Sequence, residues 1–302
     1  MKNVSLKIYN SKTKKVYKSK KLNSANFNDF TLNDYQVFLS LISKIGGVDA
    51  EGKYLQHMDL QREHILTAKD FSQDFNTDVD YSYKVLRDAV NKLLKTDIRL
   101  NDGTRYIRIN VCSKAEYEKN RGRIYVKFTD DVMPYLAQVK QKFILYNLKE
   151  ISNFRSIYTA RLYELIQEFK ETGYMIKSVD QLRESFSTGT KFKLYGHFKA
   201  KTFDHACHEI NSNYKINLRY EEIKEGRKVV AVKFAFKKTR VTKRYNQYTG
   251  IAKNVYEKPK LQNKDKESKS DVMDGQLSFE DKNTKPIQNI VSSLFSKITR
   301  KE

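Results

Sequence analysis

Tryptophan is absent from this chain of 302 residues, and cysteine (2), proline (3), methionine (5) and glycine (11) are scarce. So little proline and glycine excludes a collagen-like or low-complexity body. Cys112 and Cys207 stand far apart, so no disulfide framework is expected, and a reduced cytoplasm fits them. No run of about 18 apolar residues occurs, so no membrane-spanning helix is predicted. The basic stretch from Met1 to Lys21 lacks the apolar segment of a secretory signal. The G-x-x-x-x-G-K-[ST] loop of nucleotide-driven motors is missing. So is the pair of histidines around one apolar residue that a nicking enzyme needs beside its tyrosine. In His205-Ala206-Cys207-His208-Glu209 the cysteine falls on the inner face of a helix and both histidines on the outer, so no metal site is predicted. The acidic pairs Asp130-Asp131 and Glu221-Glu222 lie at element ends without a partner pattern for metal-assisted cleavage. No cofactor and no catalysis are expected.

What is abundant is positive charge. Lys+Arg number 58 against 36 Asp+Glu, a formal net charge of +22, which attracts polyphosphate whatever its sequence. Hydrophobic residues make up 39%, with 20 Tyr and 17 Phe as bulky core formers, enough for two domains with their own apolar interiors.

The pattern of these residues is doubled. Thr31-Leu32-Asn33-Asp34 caps a helix carrying Tyr35, Phe38, Leu39, Leu41, Ile42 and Ile45, which ends at Gly46-Gly47. His64-Ile65-Leu66 reads as a short strand, and Thr67-Ala68-Lys69-Asp70 caps a helix near 67–75. The next helix, 79–95, has Val85, Leu86, Ala89, Val90 and Leu93 on one face. Strands follow at Asp97–Leu100, Arg105–Val111 and Arg123–Phe128, with Lys114–Gly122 as a long charged tip. The second half repeats the order. Phe143–Tyr146 opens it, Ser156–Phe169 is an apolar helix, and Ser178-Val179-Asp180-Gln181 caps a short one. A helix over 196–212 comes next, and Lys215–Glu222 and Lys228–Phe236 form a hairpin.

Helix, helix, hairpin is the winged form of the helix-turn-helix, whose second helix enters a DNA major groove. The expected fold is α+β, with two tandem winged-helix domains and a disordered C-terminal tail. Residues 1–27 are predicted as a basic arm, 28–137 as the first domain, 138–237 as the second and 238–302 as the tail, where apolar periodicity vanishes.

Arginine and lysine can pair with guanine, and asparagine with adenine. On the outward face of the first recognition helix these roles fall to Lys84, Arg87, Asn91 and Lys95. In the second copy Lys191, Lys193, His197 and Lys201 cluster around the helix start, while Lys199 rotates toward the inner side. The first hairpin offers Arg105, Arg108, Arg121 and Arg123 to phosphate, and the second Lys224, Arg227 and Lys228.

Across residues 28–237 the chain resembles the iteron-binding plasmid replication initiators. The likeness rests on Phe143-Ile144-Leu145-Tyr146-Asn147-Leu148, Ser156 to Leu165 with its Arg161-Leu162-Tyr163-Glu164, Leu182-Arg183, Tyr195, Phe198-Lys199, Ala206, Glu209-Ile210-Asn211 and Gly226-Arg227-Lys228-Val229. It implies two winged-helix domains binding directly repeated double-stranded DNA as a monomer. It also implies a homodimer that represses its own promoter, melting of an AT-rich region, and recruitment of host initiator and replicative helicase. Ala200-Lys201-Thr202 departs from the family pattern, where more basic residues are common. A transcriptional regulator of the same fold without a replication role is the second reading.

In the tail, Gln276-Leu277-Ser278-Phe279 resembles the peptide by which bacterial proteins dock on the replicative sliding clamp, with Glu280 where a second apolar residue is preferred. Ile287, Ile290, Val291, Leu294, Phe295 and Ile298 follow helical spacing after Pro286.

Overall fold

The computed structural model describes residues 14–27, 30–45, 57–101, 104–136, 143–238, 242–245 and 252–255. The chain divides into a compact unit of residues 1–262 and a second of 263–302, and the latter lies outside the described residues. So do Gly46-Gly47, the clamp-like Gln276–Phe279 and the helix expected after Pro286.

The first half runs β1 (Lys15–Ser19), α1 (Lys20–Asn23), β2 (Asn26–Phe27), α2 (Leu32–Ser43), β3 (Glu63–Thr67), α3 (Ala68–Phe75) and α4 (Val79–Lys95). It continues through β4 (Asp97–Asn101), β5 (Tyr106–Asn110), β6 (Cys112–Glu118), β7 (Arg123–Phe128) and α5 (Met133–Leu136). Local chemistry sets each helix start. Thr31 and Asp34 form a reciprocal capping box, the Asp34 carboxylate accepting from the Thr31 N–H at 2.7 Å. The Thr67 hydroxyl accepts from the Asp70 N–H at 3.0 Å. Asn76, in the left-handed region at φ 50, ends α3, and the Asp78 carboxylate takes the N–H groups of Asp80 (2.7 Å) and Tyr81 (3.1 Å) to start α4. Helix α4 buries Val85, Leu86, Ala89, Val90 and Leu93 against α2, α3 and β6.

The second half runs β8 (Phe143–Asn147), α6 (Ile157–Glu168), β9 (Tyr174–Ser178), α7 (Val179–Ser185), α8 (Tyr195–Lys199), α9 (His205–Asn213), β10 (Arg219–Glu225) and β11 (Lys228–Ala235). Ser178 and Gln181 form the expected capping box at 3.1 and 3.0 Å. Helix α6 is buried without interruption from Thr159 to Gln167. A helix apolar or paired all round belongs in the middle of a body, and α6 packs on α1 and β8 and on α9. A final pair, β12 (Thr242–Tyr245) and β13 (Ala252–Val255), forms an antiparallel hairpin.

Both halves have the winged order. In the first, β3, β7 and β6 make the wing sheet; in the second, β9, β11 and β10 do so. Four sequence expectations are corrected. Residues 15–27 are not a free arm: Val16, Leu22 and Phe27 are fully buried, because the segment supplies apolar surface that covers α2 and α6. Strand β8 does not simply open the second domain, since it pairs antiparallel with β1, Val16 opposite Tyr146. The Lys114–Gly122 segment is not one long tip; β6 runs to Glu118 along β7, leaving only 119–122 as the turn. The segment Asp97–Asn110 is not part of the wing: β4 and β5 pair with each other and with β2 as a separate sheet. Alternating apolar residues announce a strand but not its partner.

The two halves share one contiguous apolar cluster from Val16 to Phe234. Within it lies a fully buried polar knot. The Glu164 carboxylate on α6 receives Lys18 Nζ from β1 at 2.7 Å and the hydroxyls of Tyr35 (α2) and Tyr146 (β8). Arg161 donates to the Tyr35 hydroxyl at 2.9 Å and to the carbonyls of Asn23 (2.7 Å), Ala25 (2.8 Å) and Ser185 (3.0 Å). Burial drags the Lys18 ammonium down to about 7 against the opposing pull of Glu164. Burial alone would raise Glu164, but the Lys18 and Arg161 charges outweigh it and hold its carboxyl below the usual range. The Arg-Leu-Tyr-Glu stretch is thus the rivet between the first half and the second.

Candidate nucleic-acid interface

On α4 the side chains of Lys84, Arg87, Asn91 and Lys95 are all exposed, within an arc set by the helical repeat. Among the described residues Arg87 meets its neighbour Asp88 at 3.4 Å, with both largely in solvent. Lys92 is drawn away, pairing with Asp34 of α2 at 2.9 Å. Asp88 sits beside Lys84 along a shallow groove with Tyr81 and Asn33, so this face is mixed rather than wholly basic.

The wing tip lies against the same helix through a glycine. Gly122 adopts φ +54 and its carbonyl accepts from the Ala68 N–H at 2.9 Å. A Cβ there would fall 2.0 Å from the Tyr83 ring of α4. Arg121 is exposed beside Glu118 at 3.7 Å. Arg123 is mostly covered, holds Glu118 at 3.0 Å and turns its Nε inward, which makes it a brace of the tip more than a contact. Arg105 and Arg108 are exposed but lie on the β4–β5 hairpin, with Arg108 paired to Asp97, so they do not extend the wing.

In the second half α8 and α9 form one helical path joined by a π-helical turn, Ala200–Asp204, where a regular helix over 196–212 was expected. Thr202 donates its hydroxyl back to the Phe198 carbonyl at 2.6 Å in that turn. Lys191, Lys193, His197 and Lys201 are exposed around its beginning, and Lys224, Arg227 and Lys228 are exposed at the wing turn, where Gly226 takes φ +57. His205 and His208 are exposed while Cys207 is buried, so this trio does not converge.

Lys199 is placed differently from the other cations. It reaches Glu222 on β10 at 2.9 Å, and Tyr195 donates to the same carboxylate at 3.1 Å. Donating to the Glu222 carboxylate holds the Lys199 ammonium above its usual range, and Lys199 in turn holds Glu222 low. The Tyr220 hydroxyl also donates to Asp204. Lys199 therefore ties helix to wing. The extra residue of the π-helical turn shifts the later helix, but Lys199 precedes it and keeps the inward setting its position on the helical wheel implies.

Sequence reasoning missed Lys119, exposed at the first wing turn, and the pair Arg183 and Leu194 beside the second helix. Lys119 was readable as a tip residue once the strand boundary was known. Arg183 carried no local signal, since its partners are backbone carbonyls eight to ten residues on.

Two winged helices in one chain, each with an exposed cationic helix and a cationic wing, define a tandem winged-helix DNA-binding protein. The family described as "Initiator Replication protein, WH1" matches residues 15–167, and that described as "Initiator Rep protein, WH2" matches residues 178–236. The chain belongs to this initiator replication protein family. Among curated relatives it is 28% identical over 166 residues to a "PI protein" of Escherichia coli, covering 49% of this chain and 54% of that one. It is also 28% identical over 116 residues to a "Replication initiation protein" of Escherichia coli, covering 37% of this chain and 35% of the relative. The matched segments thus span about half of the first relative and about a third of the second. The fold is shared with a solved Pi initiator protein in complex with iteron DNA, at TM-score 0.60 and 22% identity, over 75% of this chain and 98% of that one.

Proposed function

We propose that this protein initiates plasmid replication by binding directly repeated origin DNA through both winged helices. The observation that carries the reading is the pairing, within one initiator-family chain, of two exposed cationic helix-and-wing faces joined by a buried rivet. The fold relative was solved on iteron DNA, and a repeated duplex is the ligand class proposed here. Two helices on one chain engage successive major grooves about 10 bp apart, so the target is a direct repeat of roughly 20 bp. Base reading falls to Lys84, Arg87, Asn91 and Lys95 on α4, and to Lys191, Lys193, His197 and Lys201 around α8. Phosphate contact falls to Arg121, Lys224, Arg227 and Lys228. Lys199 and Arg123 support these groups from behind.

Binding then promotes opening of an adjacent AT-rich segment and recruits host initiator and helicase, with the tail peptide Gln276–Phe279 offered to the sliding clamp. Repression of its own promoter as a dimer belongs to the same proposal. Self-association is supported by β5, the outer strand of its sheet among the described residues, where Tyr106 is 81% exposed. The test places the coding region and its flanking DNA on a fragment lacking any other origin. Autonomous maintenance that requires both the flanking repeats and an intact chain is expected. Footprinted repeats without maintenance would instead favour a transcriptional regulator.

A further inference from the structure

The connection from α7 to α8 is held unusually firmly for a surface loop. Ser187, Gly189 and Phe192 all take left-handed backbone, at φ 55, 53 and 56. Arg183 spans the loop from beneath: its guanidinium donates to the carbonyls of Phe192 (2.9 Å), Lys193 (3.1 Å) and Lys191 (3.4 Å) and lies 4.4 Å over the Phe198 ring. Phe192 tucks inward against Tyr158. The result of this fixation is that Leu194 stands outward, 67% exposed, immediately before α8.

Leucine is a poor choice there on local grounds. The position is the N-cap of the helical path, where a side-chain oxygen would satisfy an open N–H, and leucine supplies none. It gains little from burial either. A residue that breaks a local rule twice, on a braced backbone, marks a place where something other than folding chose it. Its surroundings indicate what. Lys191, Lys193, His197 and Lys201 are exposed around it, and Gly196 beside it leaves open space. An apolar side chain flanked in the chain by exposed cations suits a duplex groove, where phosphates flank the one large apolar group on a base edge, the thymine C5-methyl.

We infer that Leu194 reads a thymine methyl in the major groove and that Arg183 is the positioning residue that aims it. This rests on the DNA-binding reading above and adds a base identity to it. The test uses the full chain to select duplexes from a random pool, then replaces each thymine of the selected site in turn by deoxyuridine, which lacks only the methyl. At one or two positions the wild-type protein loses about threefold to fivefold in affinity, the effect of withdrawing one methyl-sized apolar contact. Leu194→Ala, a change at an exposed site, no longer distinguishes thymine from deoxyuridine at that position. Arg183→Lys, which keeps the charge but cannot span three carbonyls, blunts the same discrimination. Indifference of the wild type to every replacement overturns the inference, as does undiminished discrimination in Leu194→Ala. Failure of the full chain to enrich any sequence overturns the DNA-reading function itself, which is a different result.

Discussion

Glu164→Gln is the sharpest test of how this molecule is held together. The carboxylate is the anion that meets both Lys18 and Arg161, and all three are essentially without solvent contact. At the 2.7 Å separation of Lys18 and Glu164, the pair attraction is about 6 kcal/mol at an effective dielectric constant of ~20. Desolvation of both charges offsets part of it, and loss of one partner from such a pair costs about 3–5 kcal/mol. Glutamine keeps the shape but presents an amide donor where the ammonium, guanidinium and two tyrosine hydroxyls all donate. The expected loss of unfolding free energy is therefore in that range, measured by urea denaturation followed by far-UV circular dichroism, since the chain has no tryptophan.

The same variant has a pH signature. Lys18 is near 7 in the folded protein and about 10.4 when unfolded, so between those values the unfolded chain binds more protons and stability rises with pH. Without Glu164 the opposing pull is gone and the folded value drops further, so the variant can shed the charge by releasing the proton. The gap between wild type and variant accordingly narrows as the pH rises from about 6 through the wild-type value near 7, and is constant above about pH 9. A loss below about 1 kcal/mol, or one flat across that range, would refute the claim that a buried ion pair rivets the halves.

Other outcomes follow from the interface. Affinity for duplex DNA, measured by anisotropy against salt, falls with a log–log slope of about −7 if eight phosphates are neutralised; a nearly flat slope sinks the polyphosphate reading. Arg87→Ala and Lys201→Ala each weaken binding to the selected site by about 1–3 kcal/mol and random duplex much less; equal losses on both would reassign them to phosphate. Lys199→Met lowers stability by no more than about 1 kcal/mol, because its bridge to Glu222 is partly in solvent, and alters salt dependence less than Lys201→Ala does. Gly122→Ala costs about 1–3 kcal/mol in thermal or urea unfolding, since a left-handed residue gains a Cβ that drives Tyr83 off the wing tip; an unchanged midpoint would contradict that contact.

Much of the architecture was legible because its causes are local. Thr67, Asp78 and Ser178 supply cap oxygens, and α4 spans Val79–Lys95 as its apolar spacing predicts. The outward setting of Lys84, Arg87 and Asn91 follows from the helical repeat alone. The strands were legible as strands, yet their partners were not: β4 and β5 form a sheet separate from the wing because β2, some seventy residues earlier, pairs with β4. Lys199 and Arg123 count as basic residues in any sequence pattern, but Glu222 and Glu118 claim them.

The linear chain, then, determined by itself the charge, the doubled helix–helix–hairpin order and the faces of its helices, because capping, periodicity and ionisation act over a few residues. Only the tertiary structure decided that β1 pairs with β8, that Arg161 and Glu164 rivet the first half to the second, and that Arg183 braces the loop that precedes the exposed Leu194. Those outcomes depend on donors and acceptors distant in sequence, and which of them meet is set by the packing that removes them from water.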